Sequence, residues 1–331
     1  MKAIVYEEYG PPDVLKRQEI ARPTPKRDEV LIKVHAVSAN AVDWRNMRGA
    51  PFLFRFVDMG FPKPKHTILG ADIAGRVEAV GSSVTQYRPG DEVFGDISAV
   101  GLGGFAEYVS VPANVLVLKP ANITFEEAAA VPVTAVTALQ GLRDKGQIQP
   151  GQKVLINGAS GGVGTFAVQI AKSFGAEVTG VCSTKKLDTA RSIGADYVID
   201  YTQEDFTRNG QHYDLIFDVV GNRSASDLKR ALTPNGVCVV AGFTTMSHML
   251  FQVVFLGSWM SMTGGVKIGS MGSAEPKQED LLFIKELLET GTVVPVIDRR
   301  YPLSETAEAI RYLEAGHACG KVVITVQDNG E

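Results

Sequence analysis

The feature that most constrains the fold is a glycine-rich turn between a short apolar run and a helix-like segment. The run 154–157 (VLIN) is followed by GASGGVG at 158–164 and then by a stretch of helical periodicity, 163–174. Strand, small-residue turn and helix in this order begin a βαβ unit, whose backbone N–H groups approach a pyrophosphate at the helix N-terminus. Ala159 replaces the first glycine of the strict G-x-G-x-x-G pattern. The order nevertheless predicts a dinucleotide site, with a glycine turn that holds no ligand as the alternative.

The residues after this turn continue the alternation of strand and helix. Short β-branched runs alternate with helical stretches, which indicates βαβ units and a doubly wound parallel sheet. The predicted strands are 177–182, 197–199, 213–220 and 236–240, and the predicted helices are 163–174, 185–193 and 225–232.

The first third of the chain has a different pattern. Val30, Ile32, Val34 and Ala36 lie on one face at the period of a strand, and no helix-length periodic segment stands out before residue 124. Two helices, 279–289 and 304–314, and a strand, 321–326, close the chain. We therefore expect a β-rich domain interrupted by an α/β domain. The expected ranges are 1–121 for the first β-rich segment, 122–270 for the α/β domain and 271–331 for the returning segment.

Charge, apolar runs and cysteines bear on partners and compartment. The 33 Lys and Arg against 37 Asp and Glu give a net charge of -4. The composition therefore lacks the excess of positive charge that is typical of proteins that bind nucleic acid or an anionic membrane. The longest apolar run, 249–262, is shorter than the ~20 residues that span a bilayer, and no export signal is visible. The three cysteines are far apart and odd in number. We expect a cytoplasmic protein with reduced thiols, no membrane insertion and no nucleic-acid partner.

The end of the second predicted strand bears on cofactor choice. Folds that prefer NAD keep an Asp or Glu there for the ribose hydroxyls. Here Cys182 stands 18 residues after Gly164, and Ser183-Thr184-Lys185-Lys186 follows it. Two hydroxyls and two ammonium groups without an acid favour the 2′-phosphate of NADPH. The alternative is a solvated helix start with surface lysines.

The whole motif order resembles the medium-chain dehydrogenase/reductase superfamily, in particular its zinc-independent branch of zeta-crystallin-like quinone oxidoreductases and alkenal/enone reductases. The resemblance covers essentially the whole chain. It implies a GroES-like β-rich catalytic domain, a Rossmann cofactor domain and a homodimer, for which 257–266 is the candidate pairing segment. The motifs that carry it are Asn40–Arg45, Leu69–Gly75, Gly90–Val93, Gly103–Tyr108, Thr137-Ala138, 158–164, Asp214–Gly221 and Gly316–Lys321.

The resemblance also assigns roles to single residues. It implies that Asn40 is near the nicotinamide ribose and that Thr137 contacts the cofactor, although both side chains could simply be satisfied structural polar groups. Asn40, Arg45 and Thr137 are the candidate catalytic residues. The expected cofactor contacts are Asn40, Thr137, Ser160, Gly161, Gly162, Val163, Ser183, Thr184, Lys186, Tyr201, Gly221, Ala241, Gly242, Phe243 and Lys321.

No metal site is expected. Zinc alcohol dehydrogenases of this superfamily have Cys where Asn40 stands and His-Glu where Ala71-Asp72 stands, so the thiolate and imidazole ligands are missing. Without a Lewis acid, the acceptor must already be electrophilic, as quinones and conjugated enals or enones are. Arg45 could donate to the oxygen that gains charge, or could pair with a carboxylate at the surface.

Two questions stay open at this point. The segment Gly49–Pro64 carries four phenylalanines, which could line a pocket for a hydrophobic acceptor or pack a lid loop. The chain could also reduce 2-enoyl thioesters, or bind NADPH without turnover as a zeta-crystallin-like protein. The favoured function is the NADPH-dependent reduction of a small hydrophobic quinone, enal or enone.

Overall fold

The computed structural model describes residues 1–243, 256 and 265–326. Most of the expected pairing segment, 257–264, lies outside them. Contacts divide the chain into two units. Unit 1 comprises Met1–Val133, Pro276–Thr290 and Pro295–Glu331, and unit 2 comprises Thr134–Glu275 and Gly291–Val294. Unit 1 is therefore discontinuous in sequence.

The strands and α-helices follow the chain in one series. They are β1 (Lys2–Val5), β2 (Lys16–Glu19), β3 (Glu29–Ala39), α1 (Ala41–Arg48), β4 (Asp72–Val80), β5 (Glu92–Asp96), β6 (Tyr108–Pro112), β7 (Leu116–Leu118), α2 (Phe125–Ala129), α3 (Pro132–Leu139), β8 (Lys153–Asn157), α4 (Gly162–Ser173), β9 (Glu177–Cys182), α5 (Leu187–Ser192), β10 (Tyr197–Asp200), β11 (Tyr213–Asp218), α6 (Ala225–Ala231), β12 (Leu232–Val240), β13 (Lys267–Ser270), α7 (Gln278–Glu289), β14 (Ile297–Pro302), α8 (Thr306–Glu314) and β15 (Lys321–Thr325).

Unit 1 is built on a seven-stranded sheet in the order β14-β15-β3-β4-β5-β7, with β6 also paired to β3. All of its pairs are antiparallel except β14 with β15. The alternating Val30, Ile32 and Val34 of β3 are fully buried, as the period-two pattern predicts. β15, close to the end of the chain, lies beside β3, with Val322 opposite Ala39. This pairing joins a strand of the first segment of unit 1 to a strand of its last segment.

The α-helix α1 precedes residue 124, in a stretch where no helix-length periodic segment stands out. α1 is only eight residues long, so it offers barely two turns of periodicity. It begins where the Asp43 carboxylate accepts the backbone N–H of Asn40 at 2.7 Å. It ends at Gly49, whose φ of +60° suits glycine.

Unit 2 contains a six-stranded sheet in the order β10-β9-β8-β11-β12-β13, with every pair parallel. This is the doubly wound order 3-2-1-4-5-6, which confirms the Rossmann prediction. The sheet is apolar on both faces, and Val154, Leu155 and Ile156 of β8 are completely buried. The strand order reverses between β8 and β11, so ligands are expected at the carboxyl ends of these strands. Within the described residues, no helix is long and apolar enough to span a bilayer.

Candidate functional site

The glycine turn after β8 is held tightly against the end of β9. Gly158 has a φ of +89°, and the N–H groups of Gly158 and Ala159 both donate to the carbonyl of Val181 at 3.0 Å. A Cβ on Gly164 would lie 2.0 Å from the carbonyl oxygen of Gly158. Only glycine at 164 therefore lets the first turn of α4 pack on the turn that precedes it.

This packing places an uncapped helix N-terminus at the carboxyl edge of the sheet. α4 begins after Gly161, which has no side chain to accept the first N–H groups, and no acid stands in its first turn. The peptide dipoles of the helix add to roughly half a positive charge at this end, which attracts an anion. The structure brings the expected residues Ser160, Gly161, Gly162 and Val163 together here, and Ser160 is buried.

The end of β9 carries the residues expected at the 2′-phosphate. Cys182 is buried, and Ser183 precedes a single 3₁₀ turn, Thr184–Lys186, in which the Lys186 N–H donates to the Ser183 carbonyl at 2.9 Å. Lys186 is half-buried, whereas Lys185 is exposed. The expected residue Tyr201 is exposed and donates its N–H to the carbonyl of Cys182 at 3.1 Å.

Sequence reasoning missed an acid at this position. Asp200 ends β10 and lies opposite Cys182 on β9. Its carboxylate accepts the hydroxyl of Thr184 at 2.5 Å and that of Thr202 at 2.7 Å, and these hydrogen bonds lower the pKa of Asp200. Register between neighbouring parallel strands is the signal that could have found it, because their carboxyl ends meet at one edge.

A buried carboxylate organises the turn after β11. Asp218 Oδ1 accepts the side-chain amide of Asn157 at 2.8 Å and the backbone N–H groups of Val220 and Gly221 at 3.0 and 2.9 Å. Asp218 Oδ2 is buried and has no hydrogen-bond partner among the described residues. Burial raises the pKa of this carboxyl group. Asp218 was not singled out from the sequence.

The turn after β11 packs directly on the turn after β12. A Cβ on Gly221 would lie 2.1 Å from the carbonyl oxygen of Gly242, and one on Gly242 would lie 2.0 Å from that of Val219. The N–H of Ala241 donates to the Asp218 carbonyl at 2.8 Å. The structure thus brings Gly221, Ala241 and Gly242 together, with the half-buried Phe243 next in the chain.

Unit 1 contains a second constellation, a buried polar cluster at the end of β3. The Lys321 ammonium donates to Asn40 Oδ1 at 2.6 Å and lies 3.4 Å from Asp72 Oδ2. Asp72 Oδ2 also accepts the Ser38 hydroxyl at 2.8 Å and the Asn40 amide at 2.9 Å, while Asp72 Oδ1 accepts the Val133 N–H at 2.8 Å. Asp72 is fully buried and Lys321 is 2% exposed. Charge and hydrogen bonds together compensate this burial.

Two further carboxyl groups lie close enough to this cluster to affect its charge. Burial raises the pKa of Asp43 to about 7, although the N–H groups of Gly70 and Asn40 partly oppose that shift. Burial, followed by the nearby Asp72, raises the pKa of Asp96 to about 6. Burial lowers the pKa of Lys321, while the facing carboxylates, led by Asp72, raise it. The ammonium therefore balances an excess of acidic groups.

The other two candidate catalytic residues are half-buried. Arg45 lies on α1 with its guanidinium 5.4 Å from the centre of the Trp44 ring, and burial lowers its pKa. Thr137 lies on α3. Their contacts with cofactor or acceptor, like those of the other candidate residues, stay predictions. The described residues contain no group of three His, Cys, Asp or Glu side chains that could hold a metal ion.

The chain is similar to known oxidoreductases over 98% of its length. Residues 26–121 match the family model described as alcohol dehydrogenase GroES-like domain, and residues 193–324 match the one described as zinc-binding dehydrogenase. A 2-methylene-furan-3-one reductase of Solanum lycopersicum is 38% identical over 98% of this chain and 79% of its own. The chloroplastic NADPH-dependent alkenal/one oxidoreductase of Arabidopsis thaliana is 36% identical with the same coverage. The solved quinone oxidoreductase of Coxiella burnetii is 29% identical, covers 99% of both chains and has a TM-score of 0.87.

Proposed function

Because the chain belongs to the medium-chain dehydrogenase/reductase superfamily, in its branch of quinone oxidoreductases and alkenal/enone reductases, we propose that it uses NADPH to reduce quinones or α,β-unsaturated carbonyls without a metal ion. Relatives of the chain are named as an NADPH-dependent alkenal/one oxidoreductase, a quinone oxidoreductase homolog and an NAD(P)H oxidoreductase. The observation that carries the function is the glycine turn after β8 in unit 2. Gly164 packs against Gly158 in this turn, and the α4 N-terminus at Gly161 has no side-chain cap.

The fit to a dinucleotide comes from this geometry. A pyrophosphate needs a positive helix end and a backbone without side chains in the way, and the start of α4 at Gly161-Gly162 provides both. A bound nicotinamide supplies the hydride. The turns that Asp218 organises, with Gly221 and Ala241–Phe243, stand at the same carboxyl edge of the sheet and are the proposed further contacts.

Metal independence is supported by the polar cluster of unit 1. The Lys321 ammonium already supplies positive charge between Asn40 Oδ1 and Asp72 Oδ2, at the positions where the zinc enzymes have Cys and Glu. A divalent cation there would meet an ammonium instead of a thiolate or an imidazole. Without a Lewis acid, the electrons must go to an acceptor that delocalises them, as a quinone or an enone does.

The preference for NADPH rests on the end of β9. Lys186 and Ser183 offer one ammonium and one hydroxyl for a 2′-phosphate, while the Thr184 hydroxyl beside them donates to Asp200. Asp200 acts against this preference, but it is held by the hydroxyls of Thr184 and Thr202. We therefore expect Asp200 to weaken the discrimination against NADH without reversing it.

The proposed site residues have separate tasks. Asn40 and Thr137 are proposed to contact the nicotinamide end, and Lys321 is proposed to act there by fixing the Asn40 amide. Arg45 is proposed to donate to the acceptor oxygen. We also propose that the chain is cytoplasmic and homodimeric. Its three free thiols agree with a reducing compartment, and sedimentation velocity measures the assembly state.

The test measures the oxidation of NADPH and of NADH with three acceptors in turn: a quinone, an enone and a 2-enoyl thioester. We expect turnover of the first two with NADPH preferred. Lys186→Ala should raise KM for NADPH at least tenfold and leave KM for NADH nearly unchanged. The exposed neighbour variant Lys185→Ala is the matched control, and Asp200→Asn should increase the preference for NADPH.

Three results would count against the proposal. Turnover of the thioester alone would assign the chain to enoyl reduction. Tight NADPH binding without any turnover would make it a non-catalytic binding protein. Equal effects of Lys186→Ala on both cofactors would show that this lysine does not read the 2′-phosphate.

A further inference from the structure

Half of the large apolar side chains that are exposed among the described residues belong to one ten-residue segment of unit 1, 52–61, here called the aromatic segment. Scattered exposed apolar residues are normal, whereas a contiguous patch indicates an interaction surface. Leu53 and Val57 are the most exposed, at 75% and 83%. The exposed side chains are Phe52, Leu53, Phe54, Phe56, Val57 and Phe61.

The exposure is built into the local structure. The N–H of Phe56 donates to the carbonyl of Leu53 at 3.2 Å, and that of Gly60 donates to the carbonyl of Arg55 at 3.0 Å. The Phe56 ring stacks on Phe61 with centres 4.6 Å apart and meets Phe52 edge-on at 5.5 Å. The three rings pack against each other, and each is still more than half exposed.

Two anchors fix this segment to the rest of unit 1. The Arg55 guanidinium donates to the carbonyl oxygens of Gly49 and Arg48, both at 2.9 Å, and lies 4.1 Å from the centre of the Tyr9 ring. The Tyr9 hydroxyl donates to the carbonyl of Gly60 at 2.7 Å. The apolar surface is thus presented by a held turn, so binding an apolar partner costs little ordering entropy.

The charges beside the patch select the kind of partner. Residues 52–65 contain Arg55, Lys63 and Lys65 against the single acid Asp58, and both lysines are exposed. Aromatic and aliphatic tips with basic residues beside them match the two layers of an anionic lipid interface, acyl boundary and phosphate headgroups. The cores of protein interfaces are depleted of lysine instead.

From this combination we propose that the aromatic segment inserts shallowly into an anionic lipid surface, with Leu53 and Val57 entering the acyl boundary and Lys63 and Lys65 meeting the headgroups. The chain would then be held at the membrane surface without spanning it. The net charge of -4 hides this feature because the basic residues are local to the segment. The proposal goes beyond the reductase activity and does not depend on it.

The test is flotation of the full chain with vesicles, which reads binding without activity. We expect co-flotation with phosphatidylcholine vesicles that contain about 30% phosphatidylserine, weakened by salt, and little binding to pure phosphatidylcholine. Leu53→Asp/Val57→Asp should lower partitioning at least about tenfold. Lys63→Glu/Lys65→Glu should lower it about tenfold on the anionic vesicles.

Matched controls separate this surface from general changes in charge. Leu282→Asp places an acid on a half-exposed leucine of α7, and Lys16→Glu/Lys229→Glu reverses two exposed lysines elsewhere. Both controls should float like the wild type, and circular dichroism melts check that all variants fold. The proposal would be overturned if the wild type remained in the unbound fraction. It would also be overturned if Leu53→Asp/Val57→Asp and Lys63→Glu/Lys65→Glu bound the vesicles as the wild type does. Self-association that Leu53→Asp/Val57→Asp abolishes would assign the patch to a second copy instead.

Discussion

Replacing Lys321 by Met tests whether the buried ammonium of unit 1 is required by the groups around it. Methionine keeps most of the side-chain volume and removes the charge. Asp72 then keeps three donors, namely the Ser38 hydroxyl, the Asn40 amide and the Val133 N–H, and loses its cation. Asn40 Oδ1 loses the ammonium that donates to it at 2.6 Å.

The magnitude follows from these losses. Removing one partner of a buried ion pair costs about 3–5 kcal/mol, and the three remaining donors place Asp72 at the lower end of that range. The orphaned Asn40 oxygen adds about 1–2 kcal/mol. We expect Lys321→Met to lower the unfolding free energy by about 4 kcal/mol, which is a fall in Tm of roughly 8–16 °C by calorimetry at pH 7.

A second variant separates charge from packing. In Lys321→Met/Asp72→Asn neither charge remains, and the Ser38 hydroxyl and Asn40 amide can reorient toward the new amide. The double variant should therefore recover at least half of the lost stability. Lys16→Met, at an exposed lysine of β2, is the control and should change Tm little. The reasoning fails if Lys321→Met costs less than about 1 kcal/mol, or if the two changes destabilise additively.

Three other outcomes follow from the same structure. Gly164→Ala should abolish NADPH binding in a fluorescence titration because its Cβ would lie 2.0 Å from the Gly158 oxygen, whereas Gly269→Ala, with nothing within 4 Å, should bind normally. Since the pKa of Asp43 is raised from 3.8 to about 7, its stabilising effect is complete below pH 3.8 and is lost as the pH rises through 7. The stability of the wild type relative to Asp43→Asn should thus fall by up to about 4 kcal/mol over that interval, and a difference in Tm that is flat or grows would contradict it. Exhaustive chelation should leave quinone reduction intact; a chelator-sensitive rate would refute metal independence.

The parts of the site that follow from local sequence were predictable. The turn at 158–164 joins one strand to the next helix, so its spacing alone indicates the geometry that Gly158 and Gly164 adopt. Asp200 escaped notice because it becomes relevant only through the register of β10 with β9. α1 was missed because two turns give too little periodicity.

The polar cluster shows the limit of pattern reading more directly. The family resemblance marked Asn40 and Lys321 as separate cofactor contacts. Their 2.6 Å hydrogen bond joins residues 281 positions apart, and it exists because β15 pairs with β3. No spacing within either motif encodes that pairing.

The position of β15 also matters for synthesis on the ribosome. The parallel sheet of unit 2 has all of its strands once residue 270 has been made. Residues 36–39 of β3, in contrast, cannot pair with β15 until residues 322–325 have been made. Asn40 and Asp72 consequently leave the ribosome tunnel long before the ammonium that joins them is translated. Translation that stops before residue 321 would omit that ammonium and the strand that carries it, and the sheet of the β-rich unit would then lack the strand that pairs with residues 36–39.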